Sequence, residues 1–161
     1  MNVAIIEKPE VKAIVLKSNQ NGRDVRQAWK QIQELLIGYP TRYNKEYGYV
    51  FIPEWQWSTG VHTLWVGVEV DSFEYVPIEV ERFIIPSRKY AKLTVNGGRE
   101  EMNSAYNYLN EWFKDNGCER DVAEGSFSLE VNRLKPTNPF LIPADEIDRF
   151  DFDVYAPIKI S

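Results

Sequence analysis

Arg88-Lys89-Tyr90-Ala91-Lys92-Leu93-Thr94-Val95-Asn96-Gly97-Gly98, followed by Ala105-Tyr106-Asn107-Tyr108-Leu109-Asn110-Glu111-Trp112-Phe113, reads as a strand, a glycine turn and an amphipathic helix. The chain has already written that order once. At an offset of 77 residues, the distance from Lys12 to Lys89, Leu16 falls on Leu93, Asn19 on Asn96, Ala28 on Ala105, Trp29 on Tyr106, Ile32 on Leu109 and Glu34 on Glu111. Gly22 and Gly98 miss by one position. Agreement at a fixed offset is the mark of an internal duplication. The expectation is one domain spanning residues 1–161, made of pseudo-repeats at about 1–76 and 77–161.

Working outward, the segments 12–17 and 89–95 are rich in β-branched and apolar residues and end at Asn/Gly turns, as strands do. In the first half Val25, Ala28, Ile32, Leu35 and Leu36 recur at helical spacing, with Asp24 as a capping candidate and Gly38 just beyond the end. Met102, Ala105, Tyr106, Leu109, Trp112 and Phe113 repeat the plan, and Asp115-Asn116-Gly117 closes it. These stripes read as core. Two further strands follow each helix, over 47–52 and 63–71, then over 126–132 and 152–160. The fold class is therefore α+β: duplicated strand-helix-strand-strand halves forming a curved antiparallel sheet with two long helices on one face. In the last strand Phe152, Val154 and Ala156 alternate with Asp153, Tyr155 and Pro157. The same parity puts Tyr155, Trp65, Tyr90, Ser128 and Glu130 together on the face away from the helices, as a groove of aromatics with one carboxylate.

Composition narrows the function. The 161 residues carry a formal net charge of −5 with scattered Lys and Arg, so the basic stripe that a phosphate backbone requires is missing and direct nucleic-acid binding is not expected. Aromatic residues make up 14%, with five Trp and nine Tyr, more than a core of this size usually takes, so some should line a cavity. Cys118 is the single cysteine, which excludes an internal disulfide and a multi-cysteine metal site. No export leader is visible, and no window approaches the ~20 apolar residues of a membrane span. A cytoplasmic location follows as the expectation. There is no Walker loop or dinucleotide fingerprint, so no cofactor is expected. The acids over 143–148 lack calcium-loop spacing, so no metal is expected either. His62, the single histidine, has no nucleophile motif around it, and no catalytic residue is assigned.

The run Lys89-Tyr90-Ala91-Lys92-Leu93, the Gly97-Gly98 turn, the Ala105-Tyr106…Leu109…Trp112 helix, Trp65-Val66-Gly67-Val68-Glu69-Val70, Ser128-Leu129-Glu130-Val131 and Asp153-Val154-Tyr155-Ala156-Pro157-Ile158-Lys159 together resemble the GyrI-like, or AraC-type effector-binding, family over nearly the whole chain. The resemblance implies a ligand cleft between two halves. It also implies a role in multidrug binding and transcription regulation, as a stand-alone member without a DNA-binding domain, and a buried glutamate that answers the charge of a cationic ligand. Glu130 is the matching position, although Leu129 and Asn132 stand where the family favours aromatics.

The candidate ligand-binding residues are Glu130, Tyr155, Trp65, Tyr90, Trp112, Phe51, Trp55 and Trp57. Rings flanking a carboxylate form a cation box, each contact worth roughly 0.5 to 2 kcal/mol; core packing explains Tyr155 and Trp65 almost as well, and explains Trp112, on the helix stripe, better than a pocket floor does. Trp55 and Trp57, in a loop bounded by Pro53 and Gly60, read as a lid or as a dimer contact. The leading expectation is a binding module for a small hydrophobic or cationic ligand, acting in sensing or sequestration. Two alternatives stand beside it: a hydrolase of strained electrophiles in which Glu130 activates water and Tyr155 orients it, and a protein-interaction module modulating gyrase or a regulator through Trp55 and Trp57.

Overall fold

In the computed structural model, residues 1–18 and 21–160 are described, so Asn19 lies outside the described residues. The elements in chain order are β1 (Val3–Lys8), β2 (Val11–Ser18), α1 (Asn21–Ile37), β3 (Tyr47–Pro53), β4 (Leu64–Glu69), β5 (Glu81–Ile85), β6 (Arg88–Gly97), α2 (Arg99–Asp115), β7 (Phe127–Arg133) and β8 (Phe150–Pro157). Short 3-10 turns occupy Glu54–Gln56 and Pro139–Leu141. The strands make one 8-stranded sheet in the order β1-β6-β8-β7-β3-β4-β2-β5, antiparallel throughout. The expected α+β architecture is present. Its boundaries differ in detail: Asp24 lies in the first turn of α1 rather than before it, and the last strand starts at Phe150 and stops at Pro157.

Two strands that periodicity did not single out, β1 and β5, determine the shape. Lys8 pairs with Arg88, and Val11 pairs with Ile85. The two ladders therefore share one register, interrupted where Pro9 and Pro86 have no N–H to give. Along the sheet β1 and β2 are separated by five strands. In a flat sheet that would place them about 29 Å apart, yet the Pro9-Glu10 link can span only about 11 Å. The sheet must curl until its ends meet.

Curling gives it an inside and an outside. Val11, Ala13, Val15, Tyr49, Phe51, Ile85, Tyr90, Leu129, Val131 and Tyr155 fill the inside, with Trp65, Phe83 and Phe127 packed against them. Outside, α1 buries Val25, Ala28, Trp29, Ile32 and Leu36 on Ile14, Val50, Val66 and Val68. Ala105, Leu109 and Phe113 of α2 pack on Ala91, Leu93, Val95 and Val154. The aromatic face expected to be a free groove is thus a packed interior, because the bent strands close over it.

The shared-face expectation for Glu130 is also corrected. Tyr155 pairs with Leu129, whereas Glu130 pairs with Val154 and Val50, whose side chains point to the helices. Ser128 and Glu130 therefore lie on the helix side, opposite Tyr155, Trp65 and Tyr90. Alternation misleads here because both faces of β7 are buried, so apolar positions do not say which face is which.

Close packing of the curled sheet is tightest at Gly67, between β2 and β3. A Cβ there would lie 2.0 Å from the Ile14 carbonyl oxygen and 2.7 Å from Val15 Cγ1. Gly67→Ala is expected to lower unfolding stability by about 3 kcal/mol. Gly38→Ala, where nothing stands within 4 Å, should change it by less than about 0.5 kcal/mol. Urea titration of both variants checks the contrast.

Candidate functional site

The helices sit toward the two ends of the outer face, α1 over β2 and β4, α2 over β6. The central strands β3 and β7 are left as the floor of a cleft between them. Their outward side chains are Val50 and Ile52, then Ser128, Glu130 and Asn132. Among these apolar and neutral groups Glu130 is the ionisable one.

Glu130 accepts a hydrogen bond from the Tyr106 hydroxyl of α2. No described lysine or arginine forms an ion pair with it. Enclosure by protein pushes the Glu130 carboxyl above its ordinary value of 4.5, and the Tyr106 bond pulls partly the other way. Burial likewise raises Tyr106 well above 10.0, and the adjacent carboxylate adds to the rise. The pair is a hydrogen-bonded acid and phenol without a counter-cation among the described residues.

Two hollows flank this pair. One, of about 210 Å³, has Glu130, Asn132 and Val50 on its floor and Met102, Phe140, Phe150 and Phe152 on its walls. Its roof depends on local packing: Trp29 of α1 stacks on Phe140 at 4.4 Å, which is possible because Gly48 beneath has no side chain. A Cβ there would come within 2.5 Å of Phe140. Arg26 of α1, also on the wall, donates to the Ile142 carbonyl and holds the 139–142 segment in place. The other hollow, of about 300 Å³, is lined by Glu54, Trp57, Tyr106, Asn110, Arg120 and Val122. Tyr106 lines this second hollow and bonds to Glu130, which lines the first.

The structure scatters the aromatic candidates. Trp57, 44% exposed, lies 5.9 Å from the Tyr106 ring and borders the cleft. Trp55 turns instead to Phe127, at 5.1 Å, on the interior side. The two tryptophans therefore form neither a joint lid nor a joint contact patch. Phe51, Trp65, Tyr90 and Tyr155 belong to the interior, where Tyr90 and Tyr155 meet edge to face at 5.9 Å and burial pushes both hydroxyls up to about 12. Tyr155 cannot orient water at Glu130 across the sheet. Trp112 packs edge-on against Phe113 at 5.3 Å, beside the α2 core. Glu130 and Trp57 are thus the candidates that the fold brings to the cleft.

Sequence reasoning missed Tyr106, Glu54 and Arg120. Tyr106 sat within a helical stripe assigned wholly to core, and its place at the stripe's edge was the available signal. Glu54 carried none, since its partner Arg120 is 66 residues away.

A curled antiparallel sheet carrying two outer helices, with a glutamate on the floor between them, defines an effector-binding domain. The model of the integron-associated effector binding protein family Cass2 matches residues 4–158, and the chain belongs to that family. The GyrI-like resemblance read from the sequence agrees with it. No curated protein matches the chain. Among solved structures it is similar to SAV2435 bound to tetraphenylphosphonium, with 13% identity and a TM-score of 0.64 over 99% of this chain and 94% of that one. It is also similar to the EcmrR C-terminal domain, with 15% identity and a TM-score of 0.72 over 99% and 98%. A third is a hydrolase from Listeria innocua, with 11% identity and a TM-score of 0.59 over 98% and 91%. At these identities the likeness is one of fold. No helix among the described residues is long and apolar enough to cross a membrane.

The raised Glu130 carboxyl has a stability consequence with a definite sign. Between its unfolded value and its higher folded value, the folded state holds more protons, so stability is full below about pH 4.5 and falls as pH rises. Glu130→Gln, which mimics the protonated acid, is expected to lack this loss. Its stability advantage over wild type should grow upward from about pH 4.5 and then level off, by about 1.4 kcal/mol for each unit of upward shift. Denaturant titrations of both proteins across pH 4 to 8 measure the difference.

Proposed function

We propose that this domain captures a hydrophobic organic cation in the cleft between α1 and α2, with Glu130 answering its charge. The observation that carries the reading is a carboxylate among apolar and neutral groups on the cleft floor, bonded to a phenol and paired with no described cation. A half-buried anion with no counter-charge among the described residues is costly unless protonated, so an arriving cation gains what is left unmet. Met102, Phe140, Phe150 and Phe152 provide polarisable walls, and Trp57 beside Tyr106 provides a ring at the mouth.

The tetraphenylphosphonium bound to SAV2435 supports this ligand class. Its charge is buried among rings, which calls for this combination of acid and aromatics. The biological role proposed is sensing or sequestration of such compounds in the cytoplasm. The proposed role extends to multidrug binding and transcription regulation, and the latter is supported by the EcmrR chain, whose similar region makes up 58% of it and which is seen in a complex with DNA.

Tetraphenylphosphonium is expected to quench tryptophan fluorescence saturably and to raise the melting temperature. Glu130→Gln should weaken binding by about 1 kcal/mol or more, roughly fivefold. Because the cation favours the ionised carboxylate, affinity should fall as pH drops below the raised Glu130 value. Proton release on binding should then appear in calorimetry performed in two buffers of different ionisation enthalpy. Equal, pH-independent binding by both proteins would remove Glu130 from the site. Turnover of an electrophilic substrate that Glu130→Gln abolishes would favour the hydrolase instead.

A further inference from the structure

The hollow on the far side of Tyr106 carries chemistry that cation capture by Glu130 does not use. Glu54, in the 3-10 turn that follows β3, is 1% exposed. Its Oε1 accepts from Arg120 Nη2 at 2.7 Å, while its Oε2 has no hydrogen-bond partner. Arg120 gives a second N–H, from Nη1, to Asn110 Oδ1 at 2.9 Å, and its Nε is likewise buried and unpartnered. Ser128 Oγ, two residues from Glu130 on the same face of β7, is a third such atom. A native interior rarely leaves a buried polar atom unmatched, and the two on Glu54 and Arg120 belong to residues that line this hollow, where they ask for a partner from outside.

The charges define that partner. Glu54 is already neutralised by Arg120, so this hollow offers one free acceptor and one free donor without net charge. A second cation would meet the Arg120 guanidinium, whereas a neutral group with both a donor and an acceptor would satisfy Glu54 Oε2 and Arg120 Nε together. Glu130 and Glu54 therefore differ in task through their described neighbours: the first has a phenol, the second a guanidinium.

We infer that the ligand is a monocation with a neutral hydrogen-bonding arm, such as a carboxamide, and that the arm docks on the Glu54–Arg120 pair while the cation docks on Glu130. This rests on the cation reading of Glu130 and adds a specificity subsite to it. Pro53 pairs with Phe127, and Glu54 bonds through its backbone N–H to Ser126, four residues along β7 from Glu130. At the rise of a strand, that places the two docking points on the order of 10 to 13 Å apart. The Tyr106 ring lies between, so the ligand takes the place of the phenol on Glu130 and joins the two hollows.

The test uses two series of alkyltrimethylammonium salts, of about 6 to 10 chain carbons, ending either in methyl or in carboxamide. Affinity is read by calorimetry on the full chain. The carboxamide series is expected to bind wild type at least about fivefold more tightly than its methyl counterpart at one optimal length, the factor of about one net hydrogen bond. In Glu54→Leu/Arg120→Met, a paired replacement that leaves no charge buried alone, that ratio should fall to about one. Asn110→Ala, on the exposed side of α2, keeps the core intact and should reduce the ratio part of the way by loosening Arg120. A ratio near one at every length in wild type, with Glu130-dependent binding of the methyl series, overturns the subsite and leaves the cation reading standing. A ratio that survives the double variant also overturns the subsite. Absence of binding by either series overturns both.

Discussion

Two residues, Pro9 and Glu10, separate β1 from β2, although five strands lie between those two elements in the sheet. That short link cannot span a flat sheet, and the rest of the structure follows from this restriction. Pro86 and Ser87 repeat it on the partner strand, so the ladder of β1–β2 on β5–β6 bends at one place on both sides. Curling converts one face of the sheet into a sealed interior, where Tyr49, Phe51, Leu129 and Tyr155 meet. It leaves the helices no place except the outside. A helix needs only its own stripe covered, and each finds that on its own half of the sheet, α1 over β2 and β4 and α2 over β6. The uncovered centre is the cleft.

Electrostatics then distinguish the carboxylates by their company. Asp153, facing the interior side, is held by Thr94 at 2.6 Å and by Arg133 at 3.1 Å, which makes it a structural anchor. Glu54 has Arg120. Glu130 alone of these three has a neutral partner, Tyr106. Side-chain type is the same or nearly so in each case, and the difference lies in what the neighbouring strands and helices bring alongside. A neighbouring guanidinium neutralises an acid, whereas a neighbouring phenol leaves it able to take a proton or a cation.

Much of this was legible from residue order. The duplicated strand–turn–helix pattern, the two helices and six of the strands follow from apolar spacing and from Asn/Gly punctuation, because those signals are local and physical. Glu130 was also legible as a candidate, and the fold brings it to the cleft. The parity argument around it failed at Phe127-Ser128-Leu129-Glu130-Val131, where an apolar alternation does not reveal which of two buried faces is the helix side. Trp55 and Trp57 failed for a related reason: in the 3-10 turn and the residue after it they point to opposite sides of the sheet, and no strand or helix period governs such a turn.

By itself the sequence determined the two helices, six of the strands, their repeated order and Glu130 as a candidate. Tertiary structure alone decided which face became interior, that Tyr106 rather than Tyr155 meets Glu130, and that Glu54 finds Arg120 from 66 residues away. The reason is one of range. Periodicity and turn chemistry act over a few residues, whereas sheet closure and charge pairing depend on distances that exist only after the strands have been brought together.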